Sequence, residues 1–263
     1  MLTATEVATP EHIRLALEAG VDYLWIGART AANPIQVQLL ADALAQSAIK
    51  PKAVLVKNPV NEDAALWIGN IERLLQARVE VMAVHRGCNH RPCWAMAFEV
   101  KRRMPHIPLL LDPSHMSGDA GLIASLSQQA MDLDYDGLMI ESHCSPMEAL
   151  SDAKQQITPV ALQAIISHLV LRHASSPDST LLALRQQIDE IDDELWNLIA
   201  RRMHIAQQIG DYKRSLQMPV LQVSRYDAIL QKRKQWARDN RVSEDLVQQI
   251  FDVIHKESVK VQL

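Results

Sequence analysis

Over the first two thirds of the chain, short apolar runs rich in Val, Ile and Leu alternate with longer stretches of amphipathic spacing. The runs fall at residues 3–7, 23–27, 53–57, 79–85, 108–112 and 137–142. Their starts recur at intervals of roughly 20 to 30 residues, the period of a strand-helix unit that repeats to make a parallel sheet. The pattern predicts about six such units. The stretches between them fit helices: residues 10–19 open on Thr9-Pro10, where Thr can cap and Pro suits the first turn. Around His173-Ala174-Ser175-Ser176-Pro177-Asp178-Ser179-Thr180 the pattern gives way to a small, polar, proline-bearing link. The expected organisation is a first domain over 1–172, a link over 173–180 and a second domain over 181–263. No strand pattern returns after the link. Spacing there predicts three helices, at about 181–215, 224–240 and 243–262, with Ser224 and Ser243 as N-caps and a break at Met218-Pro219.

Composition narrows the partners. A length of 263 residues with 48% hydrophobic content has room for two cores. The formal net charge is -4 and the Lys and Arg residues are scattered, so nucleic acid is not an expected partner. The start of the chain has no charged segment leading into an apolar one, and no later stretch is long enough to span a bilayer; a cytoplasmic protein without a membrane partner is expected. Cys88, Cys93 and Cys144 are odd in number and lack paired metal-finger spacing, which predicts reduced thiols without a structural role.

Polar residues cluster where the predicted strands end. Arg29, Lys57 and Arg86 place cations at the ends of three successive strands, a set suited to phosphate and carboxylate groups at the rim of a β/α barrel. His115, Glu141 and Asp152 offer one imidazole and two carboxylates from neighbouring strand ends, donors suited to a divalent cation.

In the helical part, Leu184, Ile188, Ile191, Leu195, Leu198, Ile205, Ile209 and Tyr212 form an apolar seam that Arg202 interrupts. A cation on such a seam costs several kcal/mol, on the order given by burial of unpaired charge, unless an anion compensates it. Lys213 lies on nearly the same bearing about 16 Å further along the helix, so both can line one elongated anion pocket. Arg185 lies roughly 25 Å from Arg202 along the helix, too far to touch the same small molecule. A helix of this length also outruns what two shorter helices can cover. A two-fold homodimer in which Arg185 reaches into the neighbour's pocket answers both problems.

The helical segment resembles the all-helical chorismate mutase family. The resemblance rests on the order and spacing of Leu181-Leu182-Ala183-Leu184-Arg185, Arg202, Lys213-Arg214, Arg225, Glu257-Ser258 and Gln262. It implies that Arg185 of one subunit and Arg202 of the other bind the two carboxylates of chorismate, and that Lys213 and Gln262 donate to its ether oxygen. Arg225, Tyr226, Gln222 and Ser258 would complete the pocket, with Gln222 standing where the family commonly has an acid and Tyr226 where it commonly has Glu. The rearrangement to prephenate requires no cofactor. An alternative reading makes this domain mainly a module that senses prephenate or chorismate and dimerises the chain.

The first domain resembles 3-deoxy-D-arabino-heptulosonate 7-phosphate (DAHP) synthase of the type fused to a chorismate mutase. The matching segments are Thr5-Glu6-Val7, Ile26-Gly27-Ala28-Arg29, Val56-Lys57, His85-Arg86-Gly87, Leu111-Asp112-Pro113-Ser114-His115, Ile140-Glu141-Ser142-His143 and Ser151-Asp152-Ala153. The resemblance implies condensation of phosphoenolpyruvate with erythrose 4-phosphate. Glu6, Arg29, Lys57 and Arg86 would hold phosphoenolpyruvate, and His115, Glu141 and Asp152 a divalent ion such as Mn²⁺, Fe²⁺, Co²⁺ or Zn²⁺. The family's Gly-Pro-Cys and Lys-Pro-Arg segments do not occur in this sequence, and six units stand where eight close a barrel. The expected fold class is therefore α/β, an incomplete TIM-type β/α barrel lacking its first two units, followed by an all-α three-helix domain. The sequence is expected to be N-terminally shortened and not to run the synthase reaction alone.

Overall fold

The computed structural model describes residues 1–172, 178–221 and 223–263. The chain divides into two compact units, Met1–Ala174 and Ser175–Leu263. Among the described residues no helix is long and apolar enough to cross a membrane.

In the first unit six parallel strands, β1 (Ala4–Glu6), β2 (Tyr23–Ile26), β3 (Ala53–Lys57), β4 (Val81–His85), β5 (Leu109–Leu111) and β6 (Gly137–Leu138), pair in sequence order as a half-barrel. The helices around them are α1 (Pro10–Glu18), α2 (Ala28–Ala31), α3 (Pro34–Gln46), α4 (Ala64–Gln76), α5 (Trp94–Arg103), α6 (Pro113–Ser117), α7 (Ile123–Asp132) and α8 (Pro159–His168). Every expected run yields a strand. The last is cut shortest, because after β6 the chain changes partner: Ile157 N–H donates to Glu141 O at 3.2 Å and His143 N–H to Ile157 O at 2.9 Å. Helix starts follow local chemistry. The side chains of Thr9, Asn33, Asp63, Asp112 and Thr158 accept backbone N–H groups at the first turns of α1, α3, α4, α6 and α8.

The core lies between the sheet and its helices. All five residues of β3 are buried, as expected of a parallel strand in the interior of a sheet. Helix α3 turns Val37, Leu40, Ala41 and Leu44 inward, and α4 turns Trp67, Ile68, Ile71 and Leu74. Trp67 is buried without leaving its indole unsatisfied, since Nε1–H donates to Val56 O at 3.1 Å. The three cysteines are free.

The second unit contains α9 (Ser179–Ser215), α10 (Val223–Asp239) and α11 (Glu244–Gln262). Helix α9 begins two residues earlier than the apolar pattern predicts, because Asp178 caps it by accepting Leu181 N–H at 2.8 Å. Ser243 caps α11 by accepting Leu246 N–H at 3.3 Å, with Glu244 and Asp245 in the dipole-favoured first turn. Helix α10 starts at Val223, which puts Ser224 one residue inside it instead of at its cap. Gly210 of α9 touches the end of α11: a Cβ there would lie 2.7 Å from Gln262 Cα. The seam of α9 is poorly covered, for Leu184, Ile188, Ile191, Leu195, Leu198, Ile205, Ile209 and Tyr212 each keep between 44% and 66% of their surface exposed.

Candidate functional site

Strand register brings the polar strand ends of the first unit to one rim: Glu6 lies opposite Trp25, Ile26 opposite Val56, Lys57 opposite Val84 and His85 opposite Leu111. Lys57, the last residue of β3, is buried, and its Nζ donates to Asp112 Oδ2 at 2.7 Å. Asp112 is 1% exposed, and its Oδ1 is hydrogen-bonded to His115 Nδ1 at 3.1 Å. Burial alone would raise the Asp112 carboxyl, but the hydrogen bond from His115 and the charge of Lys57 outweigh it and hold it below the usual carboxylate range.

His115, Glu141 and Asp152 converge. One donor atom from each lies within 4.8 Å of the others, and His115 Nε2 stands 3.4 Å from Glu141 Oε1. Donors about 2.1 Å from a common ion sit roughly 3 to 4.2 Å apart, so small movements fit this set around one divalent cation. Two neighbours steady Glu141: Gln155 Nε2 donates to its Oε2 at 3.0 Å, and its own N–H donates to Ser114 Oγ at 3.1 Å.

The remaining expected phosphoenolpyruvate residues are placed more loosely. Arg29 is exposed on α2, just beyond β2. The Glu6 carboxylate folds over Gly27, where a Cβ would fall 2.0 Å from Glu6 Oε1, so only glycine leaves room for it. Arg86 is half-buried, and its N–H donates to Asn58 Oδ1 at 2.7 Å. Asn58 is buried and also donates from Nδ2 to Gly87 O at 3.0 Å and Pro59 O at 2.9 Å, clipping the end of β3 to the loop that carries Arg86. His85 points away from the rim. Its ring is enclosed by Trp67, Trp94 and Tyr135, its Nδ1 lies 2.8 Å from Tyr135 Oη, and burial pushes its pKa down to about 3.

In the second unit Arg202, Lys213, Arg225, Ser258 and Gln262 line one cavity of about 420 Å³ together with His255 and apolar residues, and among the described residues no carboxylate lines it. Arg202 Nη1 donates to Ser258 Oγ. Lys213 Nζ donates to Val220 O at 2.6 Å and to Gln262 Oε1 at 3.3 Å, and Gln262 Nε2 donates to Ser258 O at 3.0 Å. Burial, then the charge of Arg233, hold the Arg202 guanidinium below its ordinary value.

Tyr226 is not brought to this cavity. Its hydroxyl donates to the Asp252 carboxylate, which raises its pKa, and its ring packs on Phe251 and His255 at 5.4 and 4.8 Å. Gln222 lies outside the described residues. Arg185 is exposed on α9, seventeen residues before Arg202 and so about 25 Å from it along the helix. Asn58, Asp112 and Ser114 stand among the polar residues at the strand ends but were given no role from the sequence, and Gln155 and Arg233 were not singled out.

Residues 1–170 match the DAHP synthetase I family, and residues 184–263 match chorismate mutase type II. A phospho-2-dehydro-3-deoxyheptonate aldolase of Thermotoga maritima is 39% identical over 61 residues, which are 23% of this chain and 18% of that protein. The chorismate mutase of Methanocaldococcus jannaschii is 27% identical over 82 residues, covering 31% of this chain and 83% of that protein. A crystal structure of the Thermotoga maritima aldolase, a DAHP synthase, aligns with a TM-score of 0.56 at 25% identity over 64% of this chain and 49% of that one. This chain thus spans about half the length of that solved relative. It belongs to the DAHP synthetase I family through its six-stranded unit, and that unit is joined to a chorismate mutase type II domain.

Proposed function

We propose that the helical unit converts chorismate to prephenate as a homodimer, and that the α/β unit serves the condensation of phosphoenolpyruvate with erythrose 4-phosphate at a divalent metal. The observation that carries the first part is the convergence of Arg202, Lys213, Arg225, Ser258 and Gln262 on one cavity that no carboxylate lines among the described residues. The substrate is a dicarboxylate that rearranges without nucleophile or proton relay, so the protein's task is to fold it and to stabilise charge as the ether bond breaks. The forked Arg202 guanidinium suits one carboxylate. Lys213 Nζ, already held beside Gln262 Oε1, donates to the ether oxygen. Arg185 is too distant on its own helix to reach the second carboxylate, and the exposed seam that carries it favours a second copy of the chain as the source.

In the α/β unit Arg29 and Arg86 meet the phosphate and carboxylate of phosphoenolpyruvate, with Glu6 nearby. Lys57, already balanced by Asp112, acts chiefly as a hydrogen-bond donor. His115, Glu141 and Asp152 are the proposed metal ligands, and a divalent ion held by them would supply Lewis-acid polarisation of the aldehyde carbonyl.

The test follows chorismate consumption by the purified chain. Arg202→Ala should lower kcat/KM on the order of 10²- to 10³-fold with the fold intact by circular dichroism. Background turnover by the wild-type chain would defeat the mutase reading, and tight prephenate binding without turnover would support the sensing alternative. Clear synthase turnover with added Mn²⁺ would establish that the six-stranded unit suffices for that reaction.

A further inference from the structure

We infer that Asp112 is a positioning residue that fixes the ring of His115 for metal binding and joins the metal site to the cation site through Lys57. The inference rests on the proposed metal ligands. One buried carboxylate performs three contacts: Oδ2 accepts from Lys57 Nζ at 2.7 Å, while Oδ1 accepts the His115 backbone N–H at 3.0 Å and lies within hydrogen-bond reach of His115 Nδ1 at 3.1 Å. The backbone contact closes the first turn of α6 and sets where His115 begins. The ring contact sets how it faces.

An imidazole has two nitrogens, and the partner of one decides the role of the other. Asp112 already accepts from Lys57 Nζ and from the His115 backbone N–H, and its Oδ1, 3.1 Å from Nδ1, is placed to accept the ring proton there as well. Nε2 is then left with its lone pair on the side of Glu141, whose Oε1 is 3.4 Å away. With Asp112 only 1% exposed, bulk water does not compete for this carboxylate. Lys57 supplies the compensating charge that a buried carboxylate needs. A purely structural cap would need no charge, because Asn caps a helix about as well as Asp.

Asp112→Asn separates the two roles, since it keeps a capping oxygen and removes the anion. Mn²⁺ titration of the purified chain, read by electron paramagnetic resonance, should show affinity weakened about 10- to 100-fold in Asp112→Asn. His115→Ala and Glu141→Ala should weaken it further. If those two leave affinity unchanged, the metal assignment itself fails. If they abolish binding while folded Asp112→Asn binds like wild type, the inference about Asp112 is overturned. Should Asp112→Asn not fold, ¹⁵N-histidine spectra of the Zn²⁺-loaded wild-type chain decide: the His115 proton is expected on Nδ1 with Nε2 shifted by zinc, and a proton on Nε2 would overturn the inference.

Discussion

Lys57 and Arg202 are both partly or wholly withdrawn from water, yet the two units treat them oppositely. Lys57 has its counterion built in, 2.7 Å away on the neighbouring strand end but one. Arg202 has Ser258 and an apolar wall, with Arg233 adding like charge. The first arrangement is complete in the folded chain. In the second no described carboxylate lines the cavity, which leaves room for the anion that the proposed function assigns to Arg202. The same contrast runs through the apolar residues: β3 is buried along its whole length, whereas the seam of α9 stays half open. A counterion supplied within the fold for Lys57, and none supplied by a described carboxylate at the cavity of Arg202, is the difference to be tested.

The largest effect should come from the seam. Ile188→Glu with Ile191→Glu puts two charges where a second copy of the chain is expected to pack. Sedimentation should show the dimer lost, and chorismate turnover should fall on the order of 100-fold or more as Arg185 is withdrawn from the neighbouring site. Mn²⁺ affinity of the α/β unit should not change. A well-folded monomer with normal turnover would break the comparison, because the cavity of Arg202 would then need nothing from a second copy.

A smaller effect is expected where α9 and α11 touch. Alanine is the better helix former by about 1 kcal/mol, so Gly210→Ala would stabilise an isolated helix. Here its Cβ would meet Gln262 Cα at 2.7 Å and Gln262 O at 2.9 Å, both backbone atoms that cannot swing aside. The end of α11 must move, carrying Gln262 away from Lys213 Nζ. Turnover should drop roughly tenfold, with a modest change in thermal stability, given that displacements of about 1 Å can cost 10²-fold. An unchanged rate would mean that Gln262 is not a working part of the site.

What was legible in the sequence was whatever depends on near neighbours. The six apolar runs, the caps at Thr9 and Ser243 and the seam of α9 each declare themselves within a few residues. The grouping of His115, Glu141 and Asp152 was legible as strand-end chemistry, and their convergence follows from the sheet order. Asp112 and Asn58 were harder, because their work is done on partners 55 and 28 residues away, and an Asp or Asn after a strand looks like ordinary turn chemistry. Tyr226 was drawn off by Asp252, 26 residues further along, which no pattern in α10 alone foretells. Arg233 belongs to the same class, since the bearing of Arg202 was judged on one helix.

The smallest effect concerns His85 and sharpens the claim that the interior of the α/β unit excludes water. Burial pushes this imidazole from 6.5 down to about 3, so it stays neutral in the folded chain over a range in which the unfolded chain takes up a proton. A depressed folded-state pKa gives stability that is fully present above about 6.5 and is lost progressively as pH falls toward 3, at about 1 kcal/mol per pH unit. Asp112 acts in the same direction, but only below its ordinary value of 3.8, so the interval from 6.5 to about 4.5 isolates the histidine. His85→Gln keeps a polar group beside Tyr135 and cannot titrate. Urea unfolding followed by tryptophan fluorescence, with Trp67 and Trp94 flanking the site, should therefore show a flatter loss of stability with falling pH in the variant than in the wild type. Equal slopes would mean that the pocket opens enough to hydrate and charge His85, and the interior of the first unit would be less closed to water than its burial implies.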